Sequence, residues 1–422
     1  MPSYAAVLGH QPNISLAELS AVLPDFTKKQ IIENVAIFET AEELSQAFLD
    51  SLGGTILIAR RITEAPVTLE DVSQLLCNET ANVRKHVTFS LRAHGVPRGA
   101  VRSLFRTCKV AIRARGLAAR YVGNEFKPAA TALLRDSEIL SGKRGCELVL
   151  LMKEETFWIG RTIAAQDIDA YTKRDMEKPV RDTTVGLLPP KLAQILLNFG
   201  AFLVRECHPS LPKQSSKLTP RYHSGQEAQS SKLTVLDPFC GTGVIPMEAL
   251  RRGWPVLASD LSLKAVNGCT KNIEWLRKEE KIFKKDTDAL IWKQDAAKPF
   301  ELKELPDIVV TESSLGPALT DRPPMKEVAH LKSESERMQA AFLANASSSL
   351  PGIPLVCIWP AWRQRDGWVR LEKVWDVLGK LGYQAVLPPG IPSDHPRFPS
   401  LFYRRPDQYV GREIVLLKPR KK

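Results

Sequence analysis

The residues best suited to chemistry lie in Val235-Leu-Asp-Pro-Phe-Cys-Gly-Thr-Gly-Val244, a glycine-rich turn between a strand-like run and a helix-like run. Such a turn after a first strand lets a ligand approach the backbone, because glycine carries no Cβ. Asp237 stands at the strand end, where its carboxylate can meet an amino group or a water. Pro246 replaces the third glycine of a dinucleotide fold, which disfavours a pyrophosphate, and no Lys-Ser or Lys-Thr follows to cradle a nucleotide phosphate. Asp260 ends the next strand, about 20 residues past the turn, where doubly wound folds grip a ribose diol. Asp295, before Ala296 in a third loop, suits an adenine amino group. Singly, each acid could equally cap a helix. Their order and spacing together point to a nucleoside site.

These acids need a sheet that brings strand ends to one edge. Strands are expected at Thr234–Leu236, Pro255–Ala258, Ile308–Val310, Leu355–Ile358, Gln384–Leu387 and Arg412–Leu417, with helices between the earlier ones. That alternation implies an α/β domain with a mostly parallel sheet. Leu192–Val204 reads as a helix ahead of it, and residues 209–232, rich in Ser, Pro, Gln and Lys, read as a flexible insertion. At the other end, Tyr4–Leu8 reads as a strand and Ser15–Leu23 as a helix opened by a Ser15/Glu18 capping box. Leu148–Met152 and Thr156–Gly160 read as a strand pair. The expected organisation is an N-terminal α+β subdomain (1–62), a second α+β domain (63–165), a linker (166–185) and the α/β domain (186–422). A chain of 422 residues requires more than one core.

The net charge of +12 points to a polyanionic partner, and its distribution sharpens the point. From Asn82 to Asn124 there is no acidic residue. A helix there would hold Arg98, Arg102, Arg106, Lys109 and Arg113 within one narrow arc, with Val101, Leu104, Cys108, Ala111 and Ile112 opposite. Like charges one turn apart repel, so a single-sign stripe costs stability that a bound phosphate backbone would offset. Arg92, Arg115 and Arg120 extend the candidate RNA-binding set. The seven cysteines are scattered without Cys-x-x-Cys spacing, which argues against a metal site and a disulfide framework. The N-terminus has no basic run before an apolar one, so a cytoplasmic location is expected.

The run Asp237-Pro-Phe-Cys-Gly-Thr-Gly243 resembles motif I of class I S-adenosylmethionine-dependent methyltransferases, closest to those acting on exocyclic amines of nucleic-acid bases. Tyr4–Leu23, Phe89–Val122 and Gly160–Asp175 resemble the THUMP-containing module of the tRNA guanine-N2 methyltransferase family, of the position-10 type. Lys178-Pro179 through Ala193 resembles that family's segment against the methionine part of the cofactor. The resemblance implies a ferredoxin-like/THUMP-type RNA-binding module followed by a Rossmann-like methyltransferase domain. It implies S-adenosylmethionine as cofactor, held by Asp237, Phe239, Cys240, Gly241, Thr242, Gly243, Asp260, Asp295 and Pro189. The implied partner is tRNA, and a small activating subunit of unknown identity is compatible with the family reading.

The family carries Asp-Pro-Pro-Tyr, or Asn for Asp, after the fourth strand. Here the matching positions are Glu312, Ser313, Ser314 and Leu315, the candidate catalytic residues. A base amine is a poor nucleophile because its lone pair is delocalised into the ring. A carboxylate and a backbone carbonyl accepting its two N–H bonds localise that lone pair. Glu312 and the Ser313 carbonyl retain these acceptors, but the prolines' rigidity and the stacking ring are lost, and misplacement by about 1 Å costs about 100-fold in rate. The loop has no cysteine for a covalent cytosine-C5 route. Arg404, Arg405 and Arg412 could meet RNA phosphates or guard a strand edge. Trp359, Trp362 and Trp368 could stack a flipped base or fill the core. Alternatives to a tRNA guanine-N2 enzyme are a DNA adenine-N6 or rRNA base methyltransferase, and a catalytically weakened tRNA-binding protein that keeps the cofactor scaffold.

Overall fold

Runs of alternating or continuous apolar residues, broken by glycine and proline, form seventeen strands and eleven α-helices among the described residues of the computed structural model. Those residues are 1–124, 127–154, 156–182, 186–208 and 232–420. The expected insertion at 209–232 falls outside them except for Lys232. Two units divide the chain. The first comprises Met1–Pro12, Asp25–Ser51 and Thr55–Ala170, and the second Asn13–Pro24, Leu52–Gly54 and Tyr171–Lys422.

In chain order the first part of the sequence forms β1 (Ser3–Leu8), α1 (Pro12–Val22), β2 (Thr27–Ile32), β3 (Val35–Glu39), α2 (Gln46–Asp50) and β4 (Thr55–Arg61). It continues with α3 (Val72–Glu79), β5 (His86–His94), α4 (Arg98–Ala114), β6 (Ala118–Tyr121) and α5 (Thr131–Asp136). Then follow β7 (Gly145–Lys153), β8 (Thr156–Ala165) and α6 (Ile168–Met176). The strands make one eight-stranded sheet in the order β2-β3-β1-β4-β8-β7-β5-β6. Residues on both sides of position 62 therefore share a sheet, since β4 pairs with β8 from Leu57–Ala165 to Arg61–Gly160. All pairings are antiparallel except those of β5 with β6 and β7.

The second unit is built from α7 (Pro190–Cys207), β9 (Val235–Asp237), α8 (Val244–Arg251), β10 (Val256–Asp260), α9 (Leu263–Glu279) and β11 (Ala289–Lys293). It continues with β12 (Ile308–Glu312), α10 (Met325–Ser349), β13 (Leu355–Gln364), β14 (Gly367–Val369) and α11 (Lys373–Leu378). It closes with β15 (Tyr383–Val386), β16 (Leu401–Tyr403) and β17 (Val410–Pro419). The sheet order is β11-β10-β9-β12-β13-β17-β15, with β14 on β13 and β16 on β17. The first five strands are parallel, and β17 runs antiparallel between β13 and β15. This is a Rossmann-like sheet whose strand order reverses between β9 and β12.

Period-two alternation sorts its strand residues onto two faces. Val235, Ile308, Val310, Val356, Ile358, Ile414 and Leu416 pack with α7, α8 and α9, while Leu236, Val309, Leu355, Cys357, Trp359 and Leu417 pack with α10 and α11. Trp359 and Trp362 are fully buried in the second layer, which rules out base stacking by either.

Two local expectations differ from the structure. Helix α1 begins at Pro12, so Ser15 and Glu18 lie inside it and form no capping box. Ser15 Oγ instead donates to the Gly54 carbonyl, and the Glu18 carboxylate accepts from Gly53 N (2.9 Å) and Gly54 N (2.7 Å). The expected linker 166–185 contains α6, whose Arg174 is buried against Glu248 at 2.7 Å. Tertiary partners, rather than local helix chemistry, claim these side chains.

Candidate functional site

A crevice outside the carboxyl ends of the parallel strands, at the point of reversal, is where open α/β sheets bind ligands. The cavity of about 500 Å³ found here is lined by residues from the ends of β9, β10 and β12 and from the loop after β11. Each contributes one acid: Asp237, Asp260, Glu312 and Asp295. With Asp182 the lining holds five carboxylates against the two cations Arg181 and Lys264, a balance that favours a cationic ligand. Apolar walls come from Phe239, Leu261, Leu315, Met338 and Phe342. Phe239 meets Phe342 edge-on at 5.2 Å.

The turn after β9 is held by the acid of the next strand. Asp260 Oδ2 accepts from Gly241 N (3.0 Å) and Oδ1 from Ser262 N (2.8 Å), which fixes the carboxylate while leaving each oxygen able to accept again. A Cβ on Gly241, at φ +49°, would point into open space, so its absence leaves room for a ligand against the backbone. Gly243 is needed for a different reason. It has φ +88°, and a Cβ there would lie 2.6 Å from Cys269 Sγ. Asp295 Oδ1 accepts from Ala297 N at 3.0 Å, an arrangement that orients the third acid.

Asp237 is buried, with Oδ1 accepting from Thr311 Oγ1 (2.7 Å) and Phe239 N (3.3 Å). Burial raises its pKa to about 7 against those two hydrogen bonds, and the charges of Asp260 and Glu312 push in the same direction as burial. Cys240 also lines the cavity, but hydrogen bonding to Cys269 and burial push its thiol well up, so it stays protonated despite the helix that follows.

Glu312 is held by a residue expected elsewhere. Arg412 Nε donates to Glu312 Oε1 at 2.6 Å, with only 3% and 11% of the two side chains exposed. Arg412 therefore neither guards a strand edge nor reaches solvent phosphates. Burial raises the Glu312 pKa, and the Arg412 charge and hydrogen bond oppose that rise. Ser313 Oγ donates to the Ile358 carbonyl at 2.9 Å and accepts from Gln339 Nε2. Ser314 Oγ accepts from Gly316 N at 3.3 Å. The slackness expected from losing two prolines is thus offset by hydrogen bonds, and Leu315 is buried at the cavity wall.

Asp237, Phe239, Cys240, Gly241, Thr242, Asp260, Asp295 and all four candidate catalytic residues line this one cavity. Gly243 and Pro189 do not: Gly243 caps α8, and Pro189 caps α7 beside the lining residues Leu187 and Leu188. Residue-type reasoning missed Thr311, Gln339, Met338, Phe342 and Asn272. Asn272 ties the wall together, accepting from Val180 N (2.8 Å) and donating to the carbonyls of Val180 (2.9 Å) and Thr242 (2.8 Å). Only alternation along β12 could have pointed inward from Thr311. The other four lie on helices whose packing no local signal gives.

In the first unit α4 spans Arg98–Ala114 and buries Val101, Leu104, Cys108 and Ile112. Arg98, Arg102, Arg106, Arg113 and Arg120 are exposed, and Lys109 lies half-buried over the Phe105 ring at 5.4 Å. Arg92 and Arg115 are not part of that face. Arg92 is buried and pairs with the fully buried Glu147 at 3.2 Å. Arg115 donates to Thr80 Oγ1 (3.0 Å) and to the carbonyls of Cys77 (3.1 Å) and Thr80 (3.0 Å). Both are spent on holding the unit together. Among the described residues no helix is long and apolar enough to cross a membrane.

The family described as "Conserved hypothetical protein 95" matches residues 224–302, a span that includes the Asp237 turn, Asp260 and Asp295. No curated protein matches the sequence. Among solved structures the chain is similar to TrmN from Thermus thermophilus, with 15% identity, 99% of this chain and 100% of that chain covered, and a TM-score of 0.49. It is also similar to a chain described as "a possible methylase" from Clostridium difficile 630 (10% identity, 100% and 98% covered, TM-score 0.45). The magnesium protoporphyrin IX methyltransferase from Synechocystis PCC 6803 follows at 15% identity, 60% and 93% covered, and a TM-score of 0.33.

Proposed function

We propose that this chain is an S-adenosylmethionine-dependent RNA methyltransferase that methylates an exocyclic base amine, namely guanine N2 of tRNA. The observation that carries the reading is the convergence of Asp237, Asp260, Asp295 and Glu312 on one acid-rich cavity at the sheet's switch point. The residues fit the cofactor. Asp260 has acceptor capacity for a ribose diol, the Gly241 backbone lies open, and the carboxylate excess suits a ligand carrying a sulfonium and an amino group. When bound, the cofactor supplies an electrophilic methyl group. The chain's own part is to place the amine. Glu312 and the Ser313 carbonyl would accept its two N–H bonds, and the Glu312 carboxylate would take up the proton that the nitrogen sheds once it carries the methyl group.

The exposed α4 stripe supports RNA as the partner, with the first unit as a THUMP-like module that presents the tRNA. One observation favours a second reading, a tRNA-binding protein that holds the cofactor without using it: Leu315 offers no π face where the resembled family stacks the base. Labelled cofactor offered with tRNA, rRNA and duplex DNA tests both, followed by mass spectrometry of the tRNA nucleosides. Label in N2-methylguanosine of tRNA is expected. Label in adenine or in rRNA, or no label despite cofactor binding, would replace the proposal.

Asp237 makes cofactor affinity pH-dependent. Its pKa is raised to about 7, so it is neutral below that pH and ionised above it, and a cationic ligand prefers the ionised form. Affinity should strengthen as the pH rises through about 7 and flatten in Asp237→Asn, read by calorimetry across that range. Stability of the ligand-free protein runs the opposite way. The folded pKa lies above the ordinary 3.8, so this contribution is full below that value and is lost as the pH rises to about 7.

A further inference from the structure

We infer that Arg412 is a positioning residue for methyl transfer, holding the Glu312 carboxylate in acceptor form and in register through a buried ion pair. The inference rests on the reading of the cavity given above.

Glu312 faces the α7 side of the sheet, by alternation from Ile308 and Val310, and Arg412 faces the same side, by alternation from Ile414 and Leu416. Strand β13 lies between them. Its Ile358 stands opposite both Glu312 and Ile414, and its Pro360 stands opposite Arg412. A long guanidinium can therefore cross one strand, over a short proline, to reach the acid at 2.6 Å. Arg412 also donates through Nη2 to the Leu187 carbonyl at 3.1 Å, and Leu187 is part of the cavity wall. The same guanidinium thus joins the acid's strand to the segment before α7.

Removing a carboxylate from water without a partner favours its protonated form, and a protonated acid has lost one acceptor site. The charged groups around Glu312 do not all help. Asp237, on β9, is near enough for the Glu312 charge to help raise its pKa, so the two acids repel while both are ionised. Neighbouring β13 supplies Ile358 and Pro360, and α10 supplies the neutral Gln339, which holds Ser313. On β16, Tyr403 lies under Arg412 with its ring centre 5.9 Å from the guanidinium, and its hydroxyl accepts from Arg405 Nε at 3.2 Å. Arg412 is the cation that contacts the acid directly, and the departure from the Asp-Pro-Pro-aromatic pattern is a compensated one.

The test uses full-length Arg412→Gln and Arg412→Lys, checked for folding by thermal melting. Single-turnover methyl transfer to tRNA is measured from pH 6 to 9.5 beside calorimetry of S-adenosylmethionine. At neutral pH Arg412→Gln should be slower by about 100-fold, with its acid limb moved to higher pH and cofactor affinity changed by less than about threefold. Arg412→Lys should recover part of the rate, and Arg412→Gln should add little in a Glu312→Ala background. Difference infrared spectra against Glu312→Gln read the acid without turnover. The Glu312 carboxylate band should give way to the carboxylic acid band at a higher pH in Arg412→Gln than in the wild type. A rate loss that is the same at every pH and in the Glu312→Ala background, or a Glu312 band that titrates alike in the wild type and Arg412→Gln, overturns the proposal. A wild type that binds cofactor but methylates nothing overturns the functional reading instead, and the infrared band still decides the role of Arg412.

Discussion

Glu312→Ala is expected to slow methyl transfer by about 100-fold or more while changing cofactor affinity by less than about threefold. The carboxylate sits at the end of β12, on the cavity wall formed by the loop that follows, while Asp260 and the Gly241 turn come from β10 and the loop after β9. On the proposed mechanism, removing the acid takes away one of two acceptors for the reacting amine and leaves the proposed cofactor contacts in place. It also strands Arg412, a buried cation, so the folded state should lose about 3–5 kcal/mol. Rates are therefore to be compared at equal folded fraction, fixed by denaturant titration. A variant that is fully folded and transfers methyl at the wild-type rate would remove Glu312 from the reaction.

The second large effect concerns the first unit. Replacing Arg98, Arg102, Arg106 and Arg113 together by Glu should weaken tRNA binding by more than about 100-fold and flatten the log–log salt dependence by about 3 units. Each phosphate contact contributes about 0.7 to 0.9 to that slope, and four charges are reversed. The four side chains are exposed on one face of α4, and the opposite face carries the packing, so folding should change little. Arg92→Ala provides the contrast. It leaves Glu147 buried without its cation, and the expected result is about 3–5 kcal/mol of lost stability with an unchanged salt slope in the folded fraction. Equal salt slopes for the wild type and the fourfold variant would detach α4 from RNA.

Sequence spacing was a good guide wherever the chemistry is local. Strand ends carry their acids outward, so Asp237, Asp260 and Asp295 could be assigned to one edge from the order of strands and turns alone. The faces of α4 followed from helical periodicity in the same way. The exceptions share a cause. Arg412 lies 100 positions from Glu312, and their meeting depends on β17 inserting antiparallel beside β13, a strand order that no window of sequence encodes. Arg92 and Arg115 looked like members of a basic stripe because composition cannot distinguish a charge on the surface from one paired with Glu147 or bonded to Thr80. Ser15 and Glu18 have capping-box spacing, yet α1 starts three residues earlier and both side chains bind the Gly53–Gly54 turn. Proline loss at Ser313 and Ser314 looked like lost rigidity because the compensating bonds to Gln339 and the Ile358 carbonyl come from distant elements.

Titration calorimetry of S-adenosylmethionine into the wild type and Asp260→Ala probes the central claim most directly. Saturable one-to-one binding is expected in the wild type, weakened at least about 100-fold in Asp260→Ala, because the substitution removes both the proposed ribose acceptor and the bond that holds the Gly241 turn. No heat of binding at saturating ligand, or equal affinities in the two proteins, would contradict a nucleoside site in this cavity.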